Sequence, residues 1–153
     1  MEKYIRPFIN VCVNVFREFL DQKIEVGRPF FEEKEKVNEW DISAVIGLSG
    51  EARGAVVISM KKELAQKITE ILTGKKHAEI DEDVVDALGE LVNIIAGNVK
   101  KELERDFRLV ISLPTFVEGK KHKICWHNLQ KRVMCISFQI FGDESFSLSV
   151  ALE

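Results

Sequence analysis

Two stretches of this chain lie over one another without a gap, PFINVCVNVFREFL (7–20) and ELVNIIAGNVKKEL (90–103). Asn10 meets Asn93, Phe16 meets Val99 and Leu20 meets Leu103. Both stretches repeat their apolar residues at helical spacing. Further on, EVGRPFF resembles ISLPTFV, each a strand with a proline, and GEARGAVVISM resembles GDESFSLSVAL. The pattern predicts two copies of a helix followed by three strands, with a short extra helix between them. At 153 residues the chain is most simply one domain, 1–153, long enough to bury a core.

The elements follow from local pattern. Residues 4–21 read as a first helix, KIEVGRPF (23–30) as a strand, and FEEKEKVNEW (31–40) as a solvated connection. ISAVIGL (42–48) and AVVISM (55–60) are strands joined by the turn SGEARG, and AVVISM is apolar enough to be covered on both sides. LAQKITEIL is a short helix that Gly74 ends. Asp81 is a good N-cap for a long helix to about Arg105, with Ile80 and Val85 placed as a hydrophobic staple. RLVISLPTFVEG, a basic connection, VMCISFQIF and SFSLSVAL complete the chain. In the last, Phe146, Leu148, Val150 and Leu152 face one way and Ser145, Ser147 and Ser149 the other. The expected fold is α+β, with three helices on one face of a largely antiparallel sheet of six strands.

Composition narrows the function classes. A net charge of −3 gives no general attraction to nucleic acid or anionic membrane. GKKHKICWHNLQKR (119–132) is basic, but it reads as a solvated hairpin connection and not as a nucleic-acid face. No apolar run is long enough to span a bilayer, and MEKYIRPFIN lacks the apolar core and cleavage site of a signal peptide. Cys12, Cys125 and Cys135 are an odd set without CxxC spacing, as expected for free thiols in a reducing cytoplasm. His77, His122 and His127 sit near no evident ligand cluster and are assigned no chemistry. No Ser/His/Asp set, glycine-rich phosphate loop or metal motif appears, and no metal or cofactor is expected on this chain.

The long helix carries the feature that needs explaining. At about 100° per residue, Val84, Val85, Leu88, Leu91, Val92, Ile95, Val99 and Leu103 gather on one side as the core face. Asp86, Glu90, Asn93, Gly97 and Lys100 fall opposite, with Ile94 beside them. Glu90 and Asn93 therefore project together from the exposed face. Gly97, one turn beyond Asn93, would let a partner approach the backbone. The alternative for Gly89 and Gly97 is close packing against the protein's own strands.

ExxN within GELVNIIAGN, on the second long helix of a helix-plus-three-strand duplication, resembles the CheX/CheC/FliY family of chemotaxis phosphatases. VIGLSGEARGAVVIS is similar to the family's hairpin after the first repeat. The resemblance covers nearly the whole chain. It implies removal of the phosphoryl group from the aspartyl phosphate of a CheY-type response regulator. Asn93 is then the residue that positions the attacking water and Glu90 the one that docks to the regulator. Asp86, Ile94, Gly97 and Lys100 complete the partner-binding face. Mg²⁺ is expected in the partner regulator. The first helix has PFIN, with Pro7 where the family's carboxylate would be, so one site on the second helix resembles the CheX branch. Asn10 is expected to be silent, its amide free or turned into the protein as a structural group. The resemblance also implies a homodimer through sheet edges, VMCISFQIF and SFSLSVAL being the candidates. The competing class is a non-catalytic adaptor that binds a receiver domain or flagellar switch protein through the same helix face.

Overall fold

The structure, a computed structural model, describes residues 2–31, 39–106, 108–126 and 133–152, with Glu2 and Lys3 described through their backbone only. Its elements run α1 (Glu2–Leu20), β1 (Glu25–Val26), β2 (Phe30–Phe31), β3 (Trp40–Gly50), β4 (Gly54–Met60), α2 (Lys62–Thr73), α3 (Glu82–Leu103), β5 (Leu109–Ile111), β6 (Thr115–His122), β7 (Val133–Ile140) and β8 (Glu144–Leu152). The eight strands form one sheet in the order β1-β7-β8-β4-β3-β5, with β2 also on β7 and β6 also on β3. Every pairing is antiparallel.

Strand order carries the duplication further than the sequence did. The hairpins β3–β4 and β7–β8 meet at the β4–β8 seam, where Val57 stands opposite Ser149. Each hairpin's outer strand is then covered by the short strands of the other half. Val26 faces Phe138 as Ile111 faces Leu48. Phe30 and Phe31 face Cys135 and Met134 as Thr115 and Phe116 face Val45 and Ala44. The breaks correspond as well, since the Gly27 N–H donates to Ser137 O at 2.8 Å and the Ser112 N–H to Gly47 O at 2.9 Å. One constant shift in each strand converts every one of these contacts into its counterpart. The two halves are thus interlocked by exchange of their edge strands.

Four expectations need correction. KIEVGRPF is two short strands and not one, because Pro29 has no N–H to offer β7 and the chain steps past it. RLVISLPTFVEG likewise breaks into β5 and β6 around Pro114, which gives eight strands among the described residues where six were expected. The basic connection is shorter than expected, since GKKH lies inside β6, and residues 127–132 fall outside the described residues. VMCISFQIF and SFSLSVAL are interior strands, while the edges belong to β1 and β2 on one side and β5 and β6 on the other.

The core lies between the sheet and the three helices. Ile42, Ala44, Ile46 and Leu48 of β3 and Phe146, Leu148, Val150 and Leu152 of β8 all point into it. Phe16 of α1 stacks on Phe146 at 4.8 Å, and Phe146 on Phe138 at 4.9 Å. Such stacking ties the first helix to both strands of the second hairpin. Gly74 closes α2 in the left-handed conformation, φ 76°, as its position after the last periodic residue predicts. On the opposite face of the sheet His122 fastens β6. Its Nδ1–H donates to Gly119 O at 2.7 Å, so Nε2 accepts from the Ser43 hydroxyl at 2.7 Å. Ser43 in turn accepts from Ser59 at 2.6 Å, and both buried hydroxyls are satisfied. Among the described residues no helix is long and apolar enough to cross a membrane.

The β4–β8 seam leaves no room for a side chain at its end. A Cβ on Gly54 would run into the carbonyl oxygen of Ala151, a backbone atom that cannot swing aside. Gly54→Ala is expected to cost about 3 kcal/mol of stability, at the upper end of overpacking effects, measured as a lowered urea midpoint.

Candidate functional site

The helix that bears the candidate site is fixed at both its start and its base. Asp81 is the N-cap, its Oδ1 accepting the Val84 N–H at 3.0 Å. Glu82 and Asp83 complement the positive end of the helix dipole, and Lys100 and Lys101 the negative end. Ile80 and Val85 are half-buried against the core, as a staple would place them. Val84, Ala87, Leu88, Leu91, Val92, Ile95, Ala96, Val99 and Leu103 are buried. The expected core face is reproduced, widened by the two alanines and with Val85 at its margin. The helix ends at Leu103, two residues before the expected end.

The opposite face is laid out as the periodicity predicts. Asp86, Glu90 and Asn93 are exposed, and Ile94, Gly97 and Lys100 are half-buried along the same side. Among the described residues nothing forms a hydrogen bond or ion pair with the side chains of Asp86, Glu90 or Asn93. Lys100 pairs with Glu104 at 3.3 Å, a half-exposed contact of small energy. A helix that spends Glu90 and Asn93 on no internal partner leaves both free to engage another molecule.

Glycine sharpens the picture. A Cβ on Gly97 would meet nothing within 4 Å, so packing against the protein's own strands does not explain that residue. At Gly89 a Cβ would reach only the ring of Phe116, 3.6 Å from Cε2, an ordinary van der Waals contact. Each glycine costs the helix about 1 kcal/mol relative to alanine. Phe116, from strand β6, was not among the residues singled out in the sequence. Only the register of β6 on β3, with Phe116 opposite Ala44 and so on the helix side, brings it here.

The first helix offers a different surface. Asn10 is exposed and not turned into the protein, on a face shared with Arg6, Asn14 and Arg17. The Arg17 guanidinium donates to Asn14 Oδ1 at 2.8 Å. Pro7 lies inside α1 and not in its first turn, because the helix begins at Glu2.

One titratable cluster was missed. His77, assigned no chemistry, has a carboxylate neighbour after all: its Nδ1 lies 2.9 Å from Asp81 Oδ2, and Asp83 completes a group whose ligand atoms fall within 4.8 Å. Nε2 of His77 is buried without a hydrogen-bond partner. A proton there would have no acceptor, so the ring carries its proton on Nδ1 and donates to Asp81. That bond, with the Val84 N–H, holds the Asp81 carboxyl below its ordinary value. The cluster is a helix cap. Cys12 is buried and burial pushes its thiol up to about 12, which leaves it inert at neutral pH. Cys135 is buried, Cys125 is exposed, and none of the three is in a disulfide.

Comparison with known proteins bears on the family and the fold. A family model described as chemotaxis phosphatase CheX matches residues 42–139. The chain is 25% identical over 153 residues to the CheY-P phosphatase CheX of Thermotoga maritima, covering 99% of this chain and 96% of that one. The crystal structure of the chemotaxis protein CheX from Vibrio vulnificus shares the fold, with a TM-score of 0.89 at 24% identity over 99% of each chain. The CheX–CheY–BeF₃–Mg²⁺ complex from Borrelia burgdorferi matches with a TM-score of 0.83 at 26% identity, over 98% of this chain and 97% of that one. An open antiparallel sheet under three helices is the architecture of the CheX and CheC-like proteins. The chain belongs to the chemotaxis phosphatase CheX family.

The open space at Gly97 makes a direct prediction. Gly97→Leu should fold with unchanged circular dichroism and melt at or above the wild-type temperature, since it restores about 1 kcal/mol of helix propensity. A lower melting temperature would mean that Gly97 packs within the chain.

Proposed function

We propose that this protein removes the phosphoryl group from the aspartyl phosphate of a CheY-type response regulator, with Asn93 positioning the attacking water and Glu90 docking to the regulator. The observation that carries the reading is the exposed, internally unpartnered Glu90 and Asn93, one turn apart beside an open Gly97. Membership of the CheX family and a relative named as a CheY-P phosphatase support the reaction class. The related complex of CheX with CheY supports the partner class.

Positioning and charge account for the residue types. An aspartyl phosphate is already activated within its own receiver, which supplies Mg²⁺ and a lysine. The missing part is a water held in line with the phosphorus. An amide both donates and accepts, so Asn93 can orient that water without a change of protonation. Glu90 would form a charge-assisted pair with the regulator's lysine and set the register of docking. Asp86, Ile94, Gly97 and Lys100 would extend the contact along the same face. The whole chain acts as a single domain in the cytoplasm, and no nucleophile from it is required.

Three substitutions on one phosphorylated regulator test the assignment. Asn93→Ala should slow label loss by about 10²–10³ while retaining complex formation. Asn10→Ala should stay within about twofold of wild type, because Pro7 leaves no carboxylate beside it. Glu90→Ala should weaken binding and flatten its dependence on salt, since a charge pair is removed. Binding without any hydrolysis by the wild type would leave the adaptor reading in its place.

We also propose a homodimer joined through a sheet edge, since among the described residues β5 and β6 pair with no strand but β3, and β1 with none but β7. Unpaired edges of this kind are generally covered or paired. Light scattering at micromolar concentration should report a particle of twice 17.5 kDa, and a 17.5 kDa particle alone would reject the dimer.

A further inference from the structure

On a helix the neighbours of a residue along its own face lie four positions before and after it. For Asn93 those neighbours are Gly89 and Gly97. Its amide therefore has bare backbone four residues to either side, with Glu90 as the neighbour three residues before it. Neither glycine is demanded by the protein's own packing, because one Cβ would meet open space and the other an ordinary ring contact. Yet both cost helix stability. The benefit has to lie outside the chain.

The two sides of Asn93 differ. At about 100° per residue Gly89 falls to one side of Asn93 and Glu90 with Ile94 to the other. On the Gly89 side the helix backbone is faced by the ring of Phe116, held on the outer strand β6. That ring is half-buried, with its inner part against the core and the remainder at the surface. With no Cβ between them, helix backbone and ring edge leave a shallow notch beside the amide, one that a methyl at Gly89 would occupy in ordinary contact with the ring. Strand β6 cannot drift from it easily, since the His122–Ser43 bond ties its end to β3.

Resting on the phosphatase reading above, we propose that Gly89 and Phe116 form a receptor for an apolar side chain of the regulator, which makes Phe116 a specificity-determining residue of the docking surface. A charge pair at Glu90 fixes one side of the partner and an apolar contact at Phe116 the other. Two unlike contacts flanking Asn93 define orientation as one cannot, and the water-positioning amide needs that orientation. The missing Cβ at Gly89 keeps the notch open, and the missing Cβ at Gly97 lets the partner close over the next turn.

Gly89→Ala is the decisive variant, because it fills the notch without harming the fold. It should melt at or above the wild-type temperature yet raise KM for the phosphorylated regulator about tenfold, with most of the loss in KM and not kcat. Phe116→Leu keeps an apolar side chain against the core but shortens the wall, and should raise KM in the same sense. Affinity for the regulator loaded with beryllofluoride, a phosphoryl mimic, should fall in parallel. A merely structural Phe116 would instead lower the melting temperature and leave KM unmoved. A KM and an affinity for Gly89→Ala within twofold of wild type would overturn the proposal. If Asn93→Ala still abolishes hydrolysis in that case, the phosphatase reading stands and only the notch is lost. Wild-type protein that neither binds nor hydrolyses the regulator would remove both.

Discussion

Everything in this fold depends on the exchange of edge strands between its two halves. A hairpin such as β3–β4 has one side that pairs across the central seam and one that would be left open. Each half closes the other's open side with short strands delivered from beyond its own helix. The breaks between those strands hold Pro29 and Pro114, where no N–H is owed to a neighbour. Neither half can close its sheet alone, so the floor beneath all three helices exists only when both are folded. The stacked rings of Phe16, Phe146 and Phe138 add a second tie, from the first helix to the last hairpin.

That floor explains how a surface helix can carry an uncompensated site. The underside of α3 is a continuous apolar face from Val84 to Leu103, and the burial of each such side chain stabilises by about 1.5–3 kcal/mol. Against that, two glycines at about 1 kcal/mol each are a small deficit. Glu90 and Asn93 add no internal bond and cost little, because both remain solvated. The helix is held by what lies below it, and its upper face is free for another molecule.

What could be read from the sequence followed from local period. Helical spacing separates Glu90 and Asn93 from the core because adjacent residues on a helix report on one another directly. Alternation in SFSLSVAL works the same way, and Phe146, Leu148, Val150 and Leu152 do face the core. What could not be read depends on partners far along the chain. Nothing local in KIEVGRPF shows that its middle must align with Ser137, and nothing in GKKH shows that it extends a strand on β3. Phe116 was hidden for the same reason, since its place beside Gly89 is set by register. His77 is the exception, because its partner Asp81 is only four residues on and the missed relation was local, a histidine beside a helix N-cap.

The duplication also shows why the two helices differ in kind. At matched repeat positions α1 has Pro7 where α3 has Glu90, Asn14 where α3 has Gly97, and Arg6 where α3 has Gly89. Asn10 keeps the amide, but each neighbour that would admit or hold a partner is changed. Arg6 and Asn14 occupy the space above and below it, and the carboxylate is gone. Pro7 within the helix also removes a backbone hydrogen bond. On the proposed reading, such a site is more than its amide. It would require bare backbone four residues to either side of the amide and a charge to fix the partner's angle, and of the two repeat helices α3 has both and α1 neither.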